Sequence, residues 1–167
     1  HNPEAIRPQP EVLFHPQMCT ACGLCVEACP NDAQRLTADG ALAYDRDRCD
    51  LAGECVEVCY SEALVMAGVE VSVDDVMAEV REDAAFYDSS GGGVTLSGGE
   101  PMLQHGFATA ILRRCKLEGF HTAVDTCGQV GWKQLERALP YVDLMLYDLK
   151  HVSPRRHKRY TGVSNRR

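Results

Sequence analysis

Nine cysteines lie in 167 residues, and seven of them form a ladder: Cys19, Cys22, Cys25 and Cys29, then Cys49, Cys55 and Cys59. The first four, followed by Pro30, read C-x2-C-x2-C-x3-C-P. That spacing lets a loop wrap a cubane and present thiolates to its irons, so the chemistry it suggests is iron–sulfur ligation. Disulfides compete as a reading, but they need an oxidising compartment and usually a small secreted chain, and nothing here reads as a signal peptide or a membrane span. Zinc prefers two separated ligand pairs to triplets spaced by two.

A shift of thirty residues superimposes Cys19 on Cys49, Gly23 on Gly53, Cys25-Val26-Glu27 on Cys55-Val56-Glu57, Cys29 on Cys59 and Ala33 on Ala63. The same shift sets Ala52 against Cys22 and Tyr60 against Pro30, so the second run lacks one ligand. Where two such runs cooperate, as in two-cluster ferredoxins, the fourth cysteine of each serves the other cluster. Cys19, Cys22, Cys25 and Cys59 are therefore expected to hold a complete 4Fe–4S centre, which leaves Cys29, Cys49 and Cys55 for a second. Three thiolates suit either a 3Fe–4S cluster or a 4Fe–4S cluster whose last iron takes water or a nearby carboxylate such as Asp50 or Glu54.

Lysine and arginine number 17 against 24 acidic residues, a formal charge of −7, and no basic stripe is interleaved with aromatics. Neither nucleic acid nor a membrane is expected as a partner, and the composition agrees with a soluble cytoplasmic protein. The basic end, with Arg155, Arg156, His157, Lys158, Arg159, Arg166 and Arg167, reads as a solvated helix face and a chain end.

The elements that must position these residues fall into three stretches. Pro3, Pro8, Pro10 and Pro16 exclude a helix from residues 1–17 and predict an extended connector. Residues 18–67 are the ferredoxin-like α+β unit with two clusters. Residues 68–167 read as α/β. There Ser72 is an N-cap with Asp75 three residues on, and Val73, Val76, Met77, Val80 and Ala84 follow a helical period, which predicts a helix from about Val73 to Phe86. After Ser89-Ser90-Gly91-Gly92-Gly93 come a strand over Val94-Thr95-Leu96, the turn Ser97-Gly98-Gly99-Glu100-Pro101, and a helix from His105 to Glu118. That helix shows Phe107, Ile111, Leu112 and Cys115 on one face and ends at Gly119. A strand over 121–124, a helix over 132–139, a strand over 142–146 and a helical segment near 154–160 follow.

Strands alternating with helices of this length imply βα units and a parallel sheet. Polar or glycine-rich residues gather just past each strand: Gly98-Gly99-Glu100, then Asp125-Thr126, then Asp148 with Lys150. In α/β folds the ligand sits at that edge, so position nominates one shared pocket.

Four ordered strings, Gly91-Gly92-Gly93-Val94-Thr95-Leu96-Ser97-Gly98-Gly99-Glu100-Pro101, Asp125-Thr126-Cys127-Gly128, Tyr147-Asp148-Leu149-Lys150 and the tail His157…Tyr160-Thr161-Gly162-Val163-Ser164-Asn165, carry a resemblance. They resemble the activating enzymes of glycyl radical enzymes, a branch of the radical S-adenosylmethionine (SAM) superfamily. The resemblance implies a partial (β/α) barrel, of which about three of six strands are present here, with the two-cluster unit inserted ahead of the first barrel helix. It also implies reductive cleavage of SAM at a 4Fe–4S cluster and hydrogen abstraction by the 5′-deoxyadenosyl radical from a glycine of a partner enzyme, with flavodoxin or ferredoxin as electron donor.

By the same resemblance Gly98 and Gly99 would allow close backbone approach to SAM, and Glu100 would compensate the charge of its amino group. Asp148, Leu149 and Lys150 would lie along its ribose and carboxylate side, while Asp125 and Thr126 match a monovalent-cation site. The family holds its SAM cluster with C-x3-C-x2-C, and none of the nine cysteines has that spacing. The segment that follows that motif in the family is similar to His1-Asn2-Pro3-Glu4, so the chain is expected to be an internal fragment with no catalytic residue of its own, inactive alone.

Each assignment has a plainer counterpart. Gly98-Gly99-Glu100 alone could be an ordinary turn, and Asp148 with Lys150 a surface ion pair of about 0–1 kcal/mol. Cys115 reads as core, Cys127 as core or incidental, and His157 as a solvated helix residue. Two other functions compete: a ferredoxin-like electron-transfer protein, which leaves the residues from Ser97 to Pro101 unexplained, and another radical SAM enzyme with auxiliary clusters.

Overall fold

A computed structural model of the chain describes residues 9–166. His1-Asn2-Pro3-Glu4 and Arg167 lie outside the described residues. Two compact units divide between Glu70 and Val71.

In the first unit, β1 (Glu11–Phe14) pairs antiparallel with β4 (Leu64–Ala67), Val12 facing Met66 and Phe14 facing Leu64. Between them run α1 (Leu24–Ala28), a hairpin of β2 (Gln34–Leu36) and β3 (Leu42–Tyr44), and α2 (Glu54–Glu57). The extended connector expected over residues 1–17 therefore contains a paired strand. It also holds a 3-10 turn at Pro16–Met18, which proline tolerates because it stands first in the turn, where its missing N–H is not needed. The thirty-residue shift is visible in the backbone: α1 and α2, and likewise β2 and β4, occupy matching places, and Ala33 and Ala63 are both buried. Val12, Cys55 and Leu64 form a small core with Phe14, Cys25, Leu42, Tyr44, Cys49, Leu51, Val56 and Cys59 against it. Thiols are thus a large part of what this unit buries.

The second unit begins with α3 (Val73–Glu82), whose capping box is complete. The Asp75 N–H donates to Ser72 Oγ at 3.1 Å, and the Ser72 N–H donates to Asp75 Oδ2 at 2.8 Å. The single helix expected to Phe86 breaks at Asp83 (φ −94°, ψ 3°), and α4 (Ala84–Ser90) resumes after it. Aspartate competes for backbone hydrogen bonds in helix interiors, and the turn aims Tyr87 edge-on at Phe120, ring centroids 5.6 Å apart. Then follow β5 (Gly93–Leu96), α5 (His105–Leu117), β6 (His121–Thr126), α6 (Trp132–Ala138), β7 (Leu144–Tyr147) and α7 (Pro154–Thr161).

These strands form one parallel sheet in the order β5-β6-β7, as the alternation predicts, with Leu96 beside Val124 and Thr126 beside Tyr147. A Cβ on Gly93 would stand 2.0 Å from the His121 carbonyl oxygen, so the start of β5 accepts only glycine. Helices α3, α5 and α6 cover the face bearing Val94, Leu96 and Val124 through Met77, Ile111, Leu112, Cys115 and Ala138. By strand alternation the other face carries Thr95, Asp125, Leu144 and Leu146. Glu118 ties α5 to α3: Arg81 grips it through two bonds of 2.7 and 2.6 Å, and Arg114 joins it at 3.0 Å.

Candidate functional site

In the first unit Cys19, Cys22, Cys25 and Cys59 line one hollow together with Thr20, Ala21, Gly23 and Leu24, among others. Cys59 lines it from the second run. Burial, with neighbouring Cys19 and Cys22 adding to it, pushes the Cys25 thiol up to about 11. Burial also raises the Cys55 thiol, and its neighbours Cys29 and Cys49 add to that shift.

Such thiols would deprotonate were iron to take the place of the proton, so ligation here would be linked to proton release. Cys59 differs: burial raises it, but the N–H groups of Leu64 and Ala63 and the Ser61 hydroxyl outweigh burial and lower its pKa. The Ala21 N–H points to Cys19 Sγ at 3.4 Å and the Ala33 N–H to Cys29 Sγ at 3.2 Å, contacts of the kind that stabilise thiolate charge and tune cluster potentials. All nine cysteines are free thiols. Among the described residues no three side chains of the His, Cys, Asp and Glu types converge as a chelate for a single ion.

In the second unit the strand ends meet. Glu100 is 6% exposed, and its carboxylate reaches across from the turn after β5 to the end of β6. It accepts hydrogen bonds from the Thr126 hydroxyl at 2.6 Å, the Cys127 N–H at 2.9 Å, the Cys127 thiol at 3.1 Å and the Met102 N–H at 3.2 Å. A carboxylate offers about four acceptor positions, so these contacts fill it. Burial, then the bond to Glu100, raises the Cys127 thiol and keeps it a donor.

Beside this lock the Ser97 hydroxyl donates to Asp125 Oδ2 at 3.0 Å. Gly98 takes φ +129° with open space where a side chain would stand, and Gly99 is buried. At the third strand end the Asp148 N–H donates to the Thr126 carbonyl at 2.9 Å, and Lys150 pairs with the Asp148 carboxylate. Strand β6 runs two residues beyond the expected end, because Asp125 and Thr126, polar enough to read as a loop, still pair with Leu146 and Tyr147.

A cleft of about 160 Å³ opens between the last two strand ends, lined by Cys127, Tyr147, Asp148, Leu149, Lys150, His151, His157 and Asn165, among others. Of the expected SAM-side residues it gathers Asp148, Leu149 and Lys150. Gly98, Gly99, Glu100, Asp125 and Thr126 frame the neighbouring strand ends instead.

Sequence reasoning gave no role to His151, His157, Asn165 or Tyr147 in this cleft. The tail folds back to form its wall: Asn165 Nδ2 donates to the carbonyls of His151 and Val152 at 2.9 and 3.2 Å, and His157 Nδ1 lies 2.8 Å from the Val163 carbonyl. A carbonyl only accepts, so Nδ1 is the donor in that contact. The signal was the tail string itself, whose spacing from His157 to Asn165 spans one helix end and its return.

Residues 58–167 match the Radical SAM superfamily, and residues 12–35 match the 4Fe-4S binding domain. The chain belongs to the radical SAM superfamily. It is 42% identical over 98% of its length to the isethionate sulfite-lyase activating enzyme of Oleidesulfovibrio alaskensis, covering 54% of that protein. It is 38% identical over 98% of its length to the (2S)-3-sulfopropanediol dehydratase activating enzyme of Klebsiella oxytoca, covering 53%. A domain of a pyruvate-formate lyase-activating enzyme from Bacteroides vulgatus is 37% identical over 45% of this chain and 47% of that one, with a TM-score of 0.41. The radical SAM chain thus spans about half the length of the curated relatives it matches. Among the described residues no helix is long and apolar enough to cross a membrane.

Proposed function

We propose that this chain works within a glycyl radical enzyme activating enzyme, with its second unit holding one side of SAM and its first unit holding two auxiliary clusters. The observation that carries the reading is the grip of Glu100 on Thr126 and Cys127, which fixes the Gly-Gly-Glu turn against the end of β6 at the edge where α/β folds bind ligands. SAM on a reduced 4Fe–4S cluster supplies the one-electron cleavage chemistry, and what these residues add is position and charge.

In this reading β5, β6 and β7 are three strands of a partial (β/α) barrel. Gly98 and Gly99 leave room for the methionine end of SAM. Asp148 and Lys150 stand on its ribose and carboxylate side with Leu149 between them, and Asp125 faces a monovalent cation that Thr126, its hydroxyl held by Glu100, borders only through its backbone. Since the Glu100 carboxylate is filled by protein donors, its first task is to hold two loops in register, and its negative charge acts on the amino group of SAM through that frame. Cys19, Cys22, Cys25 and Cys59 hold the first auxiliary cluster, and Cys29, Cys49 and Cys55 the second. The partners are a glycyl radical enzyme and a flavodoxin or ferredoxin donor, in the cytoplasm, without nucleic acid or membrane.

A plain electron-transfer protein would leave the buried lock of Glu100 without purpose. The test replaces the matching span of the O. alaskensis relative with residues 1–167 and measures 5′-deoxyadenosine formed under strong reductant. Turnover at a rate near the parent's, abolished by Glu100→Ala and reduced by Asp148→Ala, is the expected result. Turnover that is indifferent to both substitutions would remove the second unit from SAM binding.

A further inference from the structure

The second cysteine run keeps the loop of the first while giving up one ligand. Ala21 and Leu51 take left-handed φ values of 55° and 65°, as do Asp32 and Glu62 at 52° and 55°, and Gly23 and Gly53 lie at 82° and 95°. Residues with a side chain rarely adopt that region, so a repeat of it at matching positions is a repeat of loop shape. Ala52 stands where Cys22 stands in the first loop, and both positions are exposed. The corner of the second loop without a thiolate therefore opens to solvent.

A carboxylate is already beside that corner. The Ala52 N–H donates to Asp50 Oδ1 at 3.2 Å. In the first loop, which has its full set of cysteines, the matching residue is Thr20. Glu54, the other nearby acid, makes no hydrogen bond of this kind among the described residues. Cys55 is buried with Cys49 packed against it, and Asp50 follows Cys49 directly, so the carboxylate adjoins two of the three thiols expected to hold the second cluster.

We infer that Asp50 is the fourth ligand of the second cluster and that the iron it holds is exchangeable. The inference rests on the two-cluster reading above. A carboxylate is a harder and weaker donor to a sulfide-bound iron than a thiolate, so a soft exogenous donor such as cyanide or a small thiolate displaces it. Oxidation removes the same iron: the 4Fe–4S centre in its 2+ state gives a 3Fe–4S centre in its 1+ state, one ferrous ion and one electron, which ferricyanide accepts.

The test reconstitutes the 167-residue chain anaerobically beside Asp50→Ala, Asp50→Asn and Ala52→Cys. It follows iron content, Mössbauer and EPR spectra through additions of ferricyanide and of cyanide. The wild type should hold about eight irons and release one ferrous ion per chain to ferricyanide. Ala52→Cys should release none, and both Asp50 variants should release it faster and bind cyanide at lower concentration. The first cluster has four cysteines of its own, so its unchanged signal reports folding in every variant. If Asp50→Ala matches the wild type in release and cyanide binding while Ala52→Cys is protected, water holds that iron and the assignment of Asp50 is overturned. About four irons in the wild type and in Ala52→Cys alike would instead overturn the two-cluster reading itself.

Discussion

Residues 9–70 bury Val12, Ala33, Cys55, Ala63 and Leu64 among their apolar side chains, whereas residues 71–166 bury Met77, Val80, Met102, Ile111, Leu112, Cys115, Phe120 and Val124 among others. The first list is short, and Leu64 is its one large hydrocarbon. In the proposed function the seven cysteines would do there what large hydrocarbons do in the second unit, because bound metal supplies folding free energy to a domain too small to bury enough surface. The second unit rests on ordinary packing of three helices against one face of a sheet. The two halves of one chain thus answer different threats: oxidation and chelation for the first, loss of packing volume for the second.

The largest effect expected from this contrast is complete. Chelation of iron from the reconstituted chain should erase hydrogen-exchange protection across residues 9–70 and leave residues 71–166 unchanged, and loss of protection in both would break the comparison. Next, Leu112→Ala should cost the second unit about 2–5 kcal/mol in urea melts while leaving the iron content unaltered, since Leu112 is fully buried between α5 and the sheet.

Glu100→Ala follows, because it strands the Thr126 hydroxyl and two backbone N–H donors. A destabilisation of about 1–3 kcal/mol is expected, with Glu100→Gln milder. Differential scanning calorimetry of the three proteins measures it.

Asp143 sharpens the comparison with pH. Lys116, then the Thr122 N–H, hold its carboxyl down from an ordinary 3.8 to about 2. A carboxyl whose pKa is lowered by folding stabilises the fold above its ordinary value, and that contribution is lost as pH falls through the folded value. The second unit should therefore lose stability between pH about 4 and about 2, and Asp143→Asn should flatten that limb in acid titrations followed by circular dichroism. The smallest effect is that of Ser72→Ala, about 1 kcal/mol from the lost cap of α3, read as a shifted urea midpoint.

Much of this was legible in the residues because the signals were local. The Ser72 and Asp75 box, the stripe of Ile111, Leu112 and Cys115, and the thirty-residue shift each need only neighbouring positions to be read. What was hidden depends on distant partners. Residues 11–14 look like proline-flanked connector until Leu64–Ala67 offers a strand to pair with. Asp83 breaks a helix without glycine or proline, and Tyr87 just past the break meets the distant Phe120. The candidate site divides the same way: its residues were named from strand ends, but the inward turn of Glu100 and the folding back of Asn165 are tertiary facts.

The place of Cys59 in the first hollow has a consequence in time. Cys59 lies 40 residues after Cys19, so a ribosome adding roughly 5–20 residues per second needs about 2–8 s between the first and the last ligand of the first cluster as proposed. During that interval Cys19, Cys22 and Cys25 have already emerged as a three-thiol loop, open to any metal or oxidant nearby. On the proposed ligand set, delivery of iron and sulfide to the first cluster would have a natural earliest moment, set by the emergence of residue 59 from the exit tunnel.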